Sequence, residues 1–458
     1  MVRLSPLFRV FVAIISLLKT YFSEIRNVPE PTLPLIPVSD LRVGHFVLLD
    51  LGWMAHPFPR NHFRITSPRQ IDTIRGLGLS RVRIDPARSE FDEVQTTETT
   101  AASSSSVAAP ADAAPDPATE AARARARALA DQRRTLALCE RQYAEGTRRY
   151  RAVLDTLEHD PLAAGEQARN GIDAILTAMD TQGESAIRLL GDVQGERGAQ
   201  HAMNVTVLSL LLGRAMGLDA AALQSLGVAA FLHDVGKTRL PDIVRFKDEA
   251  FTPAQLKAYE EHVAHGVALG RAMGLDATAL LAIAQHHEAA DGSGFPRGCA
   301  GSEMGTASHI LALVNRYDGL CNPPNPVRAL TPHEALAHLF AMQKARFDPP
   351  TLSAFIRMLG VYPPGSIVQL SDGRYAQVHT VNAARPLKPR VLVHDPRVPR
   401  SEALLLDLQT TPDLSIQRSL RADQLPRAAL DYLEPRPRYY YFFERALRAD
   451  DATRGDGP

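Results

Sequence analysis

The sequence is poor in cysteine and tryptophan, with 3 Cys and 1 Trp in 458 residues. Cys139, Cys299 and Cys321 are too few and too scattered for a disulfide framework or a thiolate zinc site. A reducing compartment, the cytoplasm, is the natural reading. Net charge is also lacking, because 51 basic and 51 acidic residues cancel. That argues against a general nucleic-acid binder, which carries a basic excess, but it leaves room for a local anion site. Long apolar runs are missing near the start. Val10 to Leu18, between Arg9 and Lys19, is far short of the roughly 20 residues of a spanning helix. No small-residue cleavage site follows it. Residues 4–22 are expected to make at most weak membrane contact as a surface-lying helix, or to precede the true start.

At roughly 150 residues per domain, the length implies about three domains, and 45% apolar residues suffice for a sizeable core. Residues 1–37 are an N-terminal extension that ends in a proline-rich, extended lead-in. Residues 38–92 suggest a small α/β domain, with strands at His45–Asp50 and Arg81–Asp85. Between them Ser67 caps, and Pro68 begins, a helix whose Ile71, Ile74 and Leu77 share a face. Residues 93–119 hold almost no bulky apolar side chain and read as a disordered linker. A helical connector spans 120–164. Residues 165–360 show helical periodicity throughout, as in Ile172, Ile175, Leu176 and Met179, and predict a compact all-α domain. Residues 361–446 switch to short strands, with an Asp372-Gly373 hairpin signal, and predict a small β domain. Within it, Tyr439 to Phe443 is expected to pack as a terminal strand on its own domain. Residues 447–458 are a tail. The expected class is mainly α, an all-helical domain flanked by a small α/β and a small β domain.

The chemistry concentrates in four histidine-bearing segments of the helical block. They contain His201, His233-Asp234, His262 and His286-His287. Imidazole plus carboxylate without thiolate suits iron, manganese or zinc. Within the HDVGK segment, His233 and Lys237 are four apart and are expected to share a helical face. Asp234 has two oxygens with which to bridge two cations, and Lys237 suits a phosphate oxygen. Metals and a lysine around one pocket imply a phosphoester substrate, hydrolysed by a water that the metals acidify. Asp291-Gly292-Ser293-Gly294-Phe295-Pro296 follows as a tight loop that shapes a pocket or meets a partner.

These segments resemble the HD-GYP domain, a bacterial relative of HD-type phosphohydrolases that hydrolyses the second messenger cyclic di-GMP. HDVGK at 233–237, HVAHG at 262–266 and HHEAADGSGFP at 286–296 carry the likeness, with Phe295 in place of the family tyrosine. The resemblance covers about residues 190–360. It implies two divalent metals, iron or manganese favoured, on His201, His233, Asp234, His262, His286 and His287. It assigns Asp234 to the bridge and Lys237 to a substrate phosphate. Asp291, Gly292, Gly294, Phe295 and Pro296 fall to the substrate-binding loop, which is also a docking element for diguanylate cyclase domains. Residues 38–86 resemble a domain of unknown function that often precedes HD-GYP domains in proteobacteria.

The chain departs from that pattern in three places. Asn315 stands where the family places a ligating aspartate, and it brings an oxygen without a charge. The segment PPNPVR at 323–328 lacks most of the expected phosphate-binding cations, with Arg316 or Arg328 as substitutes. Arg197 occupies the position of a further glutamate ligand, against a third metal. The resemblance thus implies a cyclic di-GMP phosphodiesterase releasing the linear dinucleotide or GMP. The alternatives are a degenerate regulatory or binding module, and a related phosphohydrolase with another substrate, such as a nucleotide or a different cyclic dinucleotide.

Overall fold

The computed structural model describes residues 34–48, 62–65, 67–76, 79, 81–84, 89 and 117–446, apart from short gaps at 192, 194, 247–249, 383–384 and 412. Residues 4–22, nearly all of the 93–119 linker and the 447–458 tail lie outside the described residues. The chain divides into two compact units, Met1–Asp116 and Pro117–Pro458. No helix of the described residues is long and apolar enough to cross a membrane.

In the first unit, strands β1 (Leu35–Pro37), β2 (Phe46–Leu48), β3 (His62–Arg64) and β4 (Arg81–Ile84) form an antiparallel sheet in the order β1-β4-β2-β3. Helix α1 (Pro68–Gly76) sets Ile71 and Ile74 against Val38, Val47, Ile65 and Val82. Two strands were expected here, and the described residues hold four. The expected boundary at residue 38 also moves forward, because β1 belongs to the sheet. Its Pro37 is tolerated since β1 is an edge strand, where a missing N–H costs little.

The second unit opens with α2 (Pro117–Leu157), whose first residue is a proline in the position where its absent N–H is harmless. The helix therefore takes residues 117–119 from the expected linker. Helix α3 (Pro161–Gln182) begins at an Asp160 cap that accepts from the Ala163 N–H. Helices α4 (Arg197–Ala215), α5 (Ala220–Leu232), α6 (Pro253–Ala272), α7 (Ala277–Gln285) and α8 (Thr306–Cys321) build the core of the site. Helices α9 (Pro332–Met342) and α10 (Pro349–Leu359) close it. Helix α4 is buried on nearly every face from Ala199 to Gly213 and is the central element.

A strand interrupts the block that read as all-α. Ser185–Leu189 (β5) joins a seven-stranded sheet with the C-terminal strands β6 (Ile367–Leu370), β7 (Tyr375–Asn382), β8 (Arg390–Val393), β9 (Leu406–Asp407), β10 (Ile416–Leu420) and β11 (Tyr441–Arg445). The path runs β10-β6-β7-β5-β11, with β8 and β9 branching from β7. Five residues between two helices give too short a window for periodicity to separate strand from helix. The consequence is architectural: the β region is continuous with the helical block through β5, and β11 pairs with β5 along Tyr441 to Arg445. The aromatic run therefore packs on the helical core as well as on its own sheet. Tyr143 of α2 meets Tyr440 and Phe442 at ring-centroid distances of 6.0 and 6.4 Å. The Asp372-Gly373 hairpin is present, with Gly373 at φ 87°. A short helix α11 (Arg427–Leu433), absent from the sequence reading, covers the sheet through Ala429 and Leu433.

Candidate metal centre and its cavity

Two helix ends create the centre. Helices α5 and α7 stop at Leu232 and Gln285, and the next residues, His233 and His286, are their C-caps. The last carbonyls of a helix lack amide partners. The His233 Nδ1–H donates to the Ala230 carbonyl at 2.8 Å, and the His286 Nδ1–H to the Ile283 carbonyl at 2.6 Å. In α6 the His262 Nδ1–H does the same to the Tyr259 carbonyl at 2.5 Å. A neutral imidazole has one N–H, so each of these three rings presents a bare Nε2. The negative ends of α5 and α7 also point at the same place, which favours a cation there.

His201 on α4 reaches the same state by another route. Its Nδ1–H donates to the Asp318 carboxylate at 2.6 Å, leaving Nε2 free. The Nε2 atoms of His201 and His233 lie 3.1 Å apart, and those of His262 and His286 lie 3.3 Å apart. Lone pairs facing at such distances repel unless a cation lies among them. Asp234 stands between the two pairs. Its Oδ2 is 3.6 Å from His201 Nε2 and 3.5 Å from His233 Nε2. Its Oδ1 is 3.7 Å from His262 Nε2 and 3.8 Å from His286 Nε2.

Two groups thus share one carboxylate: His201, His233 and Asp234 in the first, Asp234, His262, His286 and His287 in the second, with ligand atoms in each within 4.8 Å of one another. Asp234 Oδ1 and His287 Nε2 are buried and have no hydrogen-bond partner. Orphaned acceptors of this kind, all imidazole or carboxylate, fit divalent first-row metals. Burial pushes the His233 pKa down to about 4 and those of His262 and His286 to about 3, against the pull of Asp234. His287 is held well below its usual value by burial and by its neighbours His286 and His262. These rings are neutral and ready to ligate at pH 7. Burial alone would raise the Asp234 pKa, but Lys237 and the histidines outweigh it and keep the carboxylate ionised.

Lys237 corrects the sequence reading. Helix α5 ends before it, and Val235–Arg239 is a 3-10 turn in which residues three apart eclipse. Lys237 therefore meets Asp234, at 2.6 Å, rather than lying under His233 on one α-helical face. Its ammonium also lies 5.3 Å from the Tyr259 ring centroid. The glycine of HDVGK has a steric reason: a Cβ on Gly236 would fall 2.0 Å from the His262 carbonyl oxygen and 2.4 Å from the Gly266 nitrogen. Only without a side chain does the turn press onto α6 and bring Asp234 beside His262.

The loop after His287 is tied down by Glu288, which is buried and accepts from the Arg297 and Cys299 N–H groups at 2.7 and 3.2 Å. A Cβ on Gly294 would lie 2.4 Å from the Glu288 Cα. Phe295 stacks on His287, with centroids 4.4 Å apart and planes 24° apart. Of the five loop residues assigned to substrate, Phe295 alone lines the cavity over the centre. Asp291, Gly292, Gly294 and Pro296 do not. Asp291 accepts from the Ser293 N–H and hydroxyl, and Gly292 takes φ 77°, so both serve the loop's shape.

That cavity measures about 990 Å³. His201, Asp234, Lys237, His286 and His287 line it, and Asn315 and Asp318 face it from α8, one turn apart. Sequence reasoning weighed Asn315 and passed over Asp318. The only signal for Asp318 was its spacing of three from Asn315. Asn204, one turn after His201 on α4, was also missed. Its amide donates to Asp318 Oδ1 at 2.8 Å and to the Tyr439 carbonyl at 2.9 Å.

Residues 184–351 match the HD domain family, and residues 34–168 match a domain of unknown function, DUF3391. The chain pairs a DUF3391 domain with an HD domain. The DUF3391 match runs past the first compact unit into α2 and α3, and the HD domain match begins at β5, before the first histidine helix. Over 365 residues the chain is 28% identical to the cyclic di-GMP phosphodiesterase PA4108 of Pseudomonas aeruginosa, covering 78% of this chain and 84% of that protein. Over 173 residues it is 28% identical to the 3'3'-cGAMP-specific phosphodiesterase 3 of Vibrio cholerae, covering 38% of this chain and 37% of that one. Among solved structures, Bd1817, a HDG"Y"P protein from Bdellovibrio bacteriovorus, aligns with 14% identity and a TM-score of 0.38 over 71% of this chain and 98% of its own.

Proposed function

We propose that this protein is a metal-dependent phosphodiesterase that hydrolyses cyclic di-GMP, to the linear dinucleotide or GMP, in bacterial second-messenger signalling. The observation that carries this reading is the shared carboxylate. Asp234 joins two histidine groups whose bare Nε2 atoms converge, at the edge of a cavity of about 990 Å³, large enough for a dinucleotide. The relatives' names support the substrate class.

His201, His233 and Asp234 would hold one ion, and Asp234, His262, His286 and His287 the other. When bound, such ions supply Lewis acidity, polarising a phosphoryl oxygen and acidifying water. The chain supplies the rest. Asp318 keeps the His201 proton on Nδ1, and the carbonyls of Ala230, Tyr259 and Ile283 do so for His233, His262 and His286. Lys237, next to the bridging carboxylate, is placed to take a phosphate oxygen and offset charge that develops there. Phe295 covers one face of His287 and limits the access of water to that ligand.

The test is cyclic di-GMP hydrolysis by protein purified anaerobically and loaded with iron(II) or manganese(II). Turnover that disappears in the double variant His233→Ala/Asp234→Ala supports the reading. A folded, metal-loaded sample without turnover sinks it. A second reading, a regulatory module that binds without hydrolysing, is favoured by Asn315, which brings no charge to the α8 wall of the cavity. Activity gained on Asn315→Asp in an otherwise inactive protein would establish that reading.

A further inference from the structure

On the His201 side of the cavity stand two arginines that make no ion pair among the described residues. Arg197, the first residue of α4, and Arg438, three residues before β11, both line it. Arg197 Nη2 lies 3.5 Å from the Asn322 carbonyl, and its guanidinium sits 5.3 Å from the Phe246 ring centroid. Among the described residues Arg438 makes no ion pair or hydrogen bond. The two cations are close enough to repel. After burial, the charge of Arg438 is the next cause that lowers the Arg197 pKa.

Their positions are fixed by the fold. The Tyr439 N–H donates to Asn322 Oδ1 at 2.8 Å, and the amides of Asn204 and Asn322 both donate to the Tyr439 carbonyl at 2.9 Å. The next residue's hydroxyl, on Tyr440, donates to Gln200 at 3.0 Å. Asn322 thus anchors the backbone beside Arg438 with its side chain and Arg197 with its carbonyl. The N-terminus of α4 has no side-chain cap and also faces the cavity through Gly198. The neighbouring Glu196 lies toward Arg151, at 3.7 Å. Asp318 offsets part of the Arg197 charge from across the cavity, but neither guanidinium makes an ion pair among the described residues, and two such groups beside a positive helix end suit an anion.

We propose that Arg197 and Arg438 form an anion clamp for the second, non-reacting phosphodiester of a cyclic dinucleotide. The inference rests on the cyclic-dinucleotide reading above. A cyclic dinucleotide carries two phosphates, and the centre with Lys237 engages one. The segment 323–328 holds one cation, Arg328, and the C-terminal segment supplies another from 110 residues further along the chain. The β region thereby contributes a specificity-determining residue to a site that is otherwise helical.

The experiment uses the full-length, manganese-loaded protein and isothermal titration with cyclic di-GMP and, as a one-phosphate probe, GMP. Arg438→Ala is expected to weaken cyclic di-GMP binding roughly 10- to 100-fold, the loss of a charge-assisted contact. Arg438→Lys should restore part of it, Arg197→Ala should act in the same direction, and GMP affinity should fall less. Cyclic di-GMP affinity within about twofold of wild type in both alanine variants, or wild-type protein that binds no cyclic di-GMP, overturns the clamp. Wild-type protein that binds cyclic di-GMP but does not turn it over defeats the catalytic proposal instead, and the same affinity ratios still decide the clamp.

Discussion

Asp318 Oδ2 lies 2.6 Å from His201 Nδ1, and the other oxygen of that carboxylate accepts from the amides of Asn204 and Asn322, each at 2.8 Å. The carboxylate is buried and sets both the tautomer and the direction of His201. Asp318→Asn is expected to keep the fold and weaken metal binding about 10- to 100-fold, the usual cost of losing such a support. Competition with a chromogenic chelator measures it. Unchanged affinity would mean that His201 is oriented by packing alone.

Gly236 and Gly319 make a matched pair. Gly236→Ala would drive a methyl into the backbone of α6, with contacts of 2.0 and 2.4 Å. A loss of about 3 kcal/mol or more is expected. At Gly319, inside α8, a Cβ meets nothing within 4 Å, and Gly319→Ala should stabilise by about 0.5–1 kcal/mol. Urea denaturation of both variants checks the sign of each effect.

The metal-free protein should lose stability as the pH falls from about 6.5 toward 4. Unfolded histidines take up protons below about 6.5. Folded His233 resists until about 4, and His262 and His286 until about 3. The unfolded state therefore binds more protons throughout this window, and acid favours it by about 1.4 kcal/mol per pH unit for each such ring. Half-buried His379, pushed down to about 3 by desolvation and by Arg188, Arg400 and Arg390, adds in the same direction. Thermal melts across pH 4–7 should steepen in this way, and His233→Gln should flatten the profile.

Asn315→Asp adds an anionic oxygen to the cavity wall one turn from Asp318. Tighter manganese binding is expected, because metal affinity rises with ligand charge. Metal content after dialysis against a weak chelator reads this directly. An unchanged content would mean that position 315 stands outside the coordination shell.

Deletion of everything after residue 436 is expected to impair the metal centre as well as the sheet. It removes β11 from β5 and removes the Tyr439 carbonyl that shares the Asn204 and Asn322 amides with Asp318. A lower melting temperature together with lost metal binding is the expected result. A truncated protein that retains full metal affinity would show the C-terminal strand to be dispensable for the site.

The sequence by itself singled out the candidate donors. His201, His233, Asp234, His262, His286 and His287 stood out as histidine-bearing segments and through the likeness of their motifs to the HD-GYP domain, and the fold brings all six into two neighbouring groups. It also carried the glycine positions of the turn and loop and most of the C-terminal strands, since hairpin signals and alternation are local. Only the tertiary structure decided that β5, five residues long, would bind the β region to the helical core. Only it placed Asp318, Asn204 and Asn322 as one hydrogen-bonded support, and only it set Arg438 beside Arg197. Local spacing records which residues share a turn. It does not record which distant carbonyl will meet an amide, because that is fixed by how helices and strands pack once the apolar faces are buried.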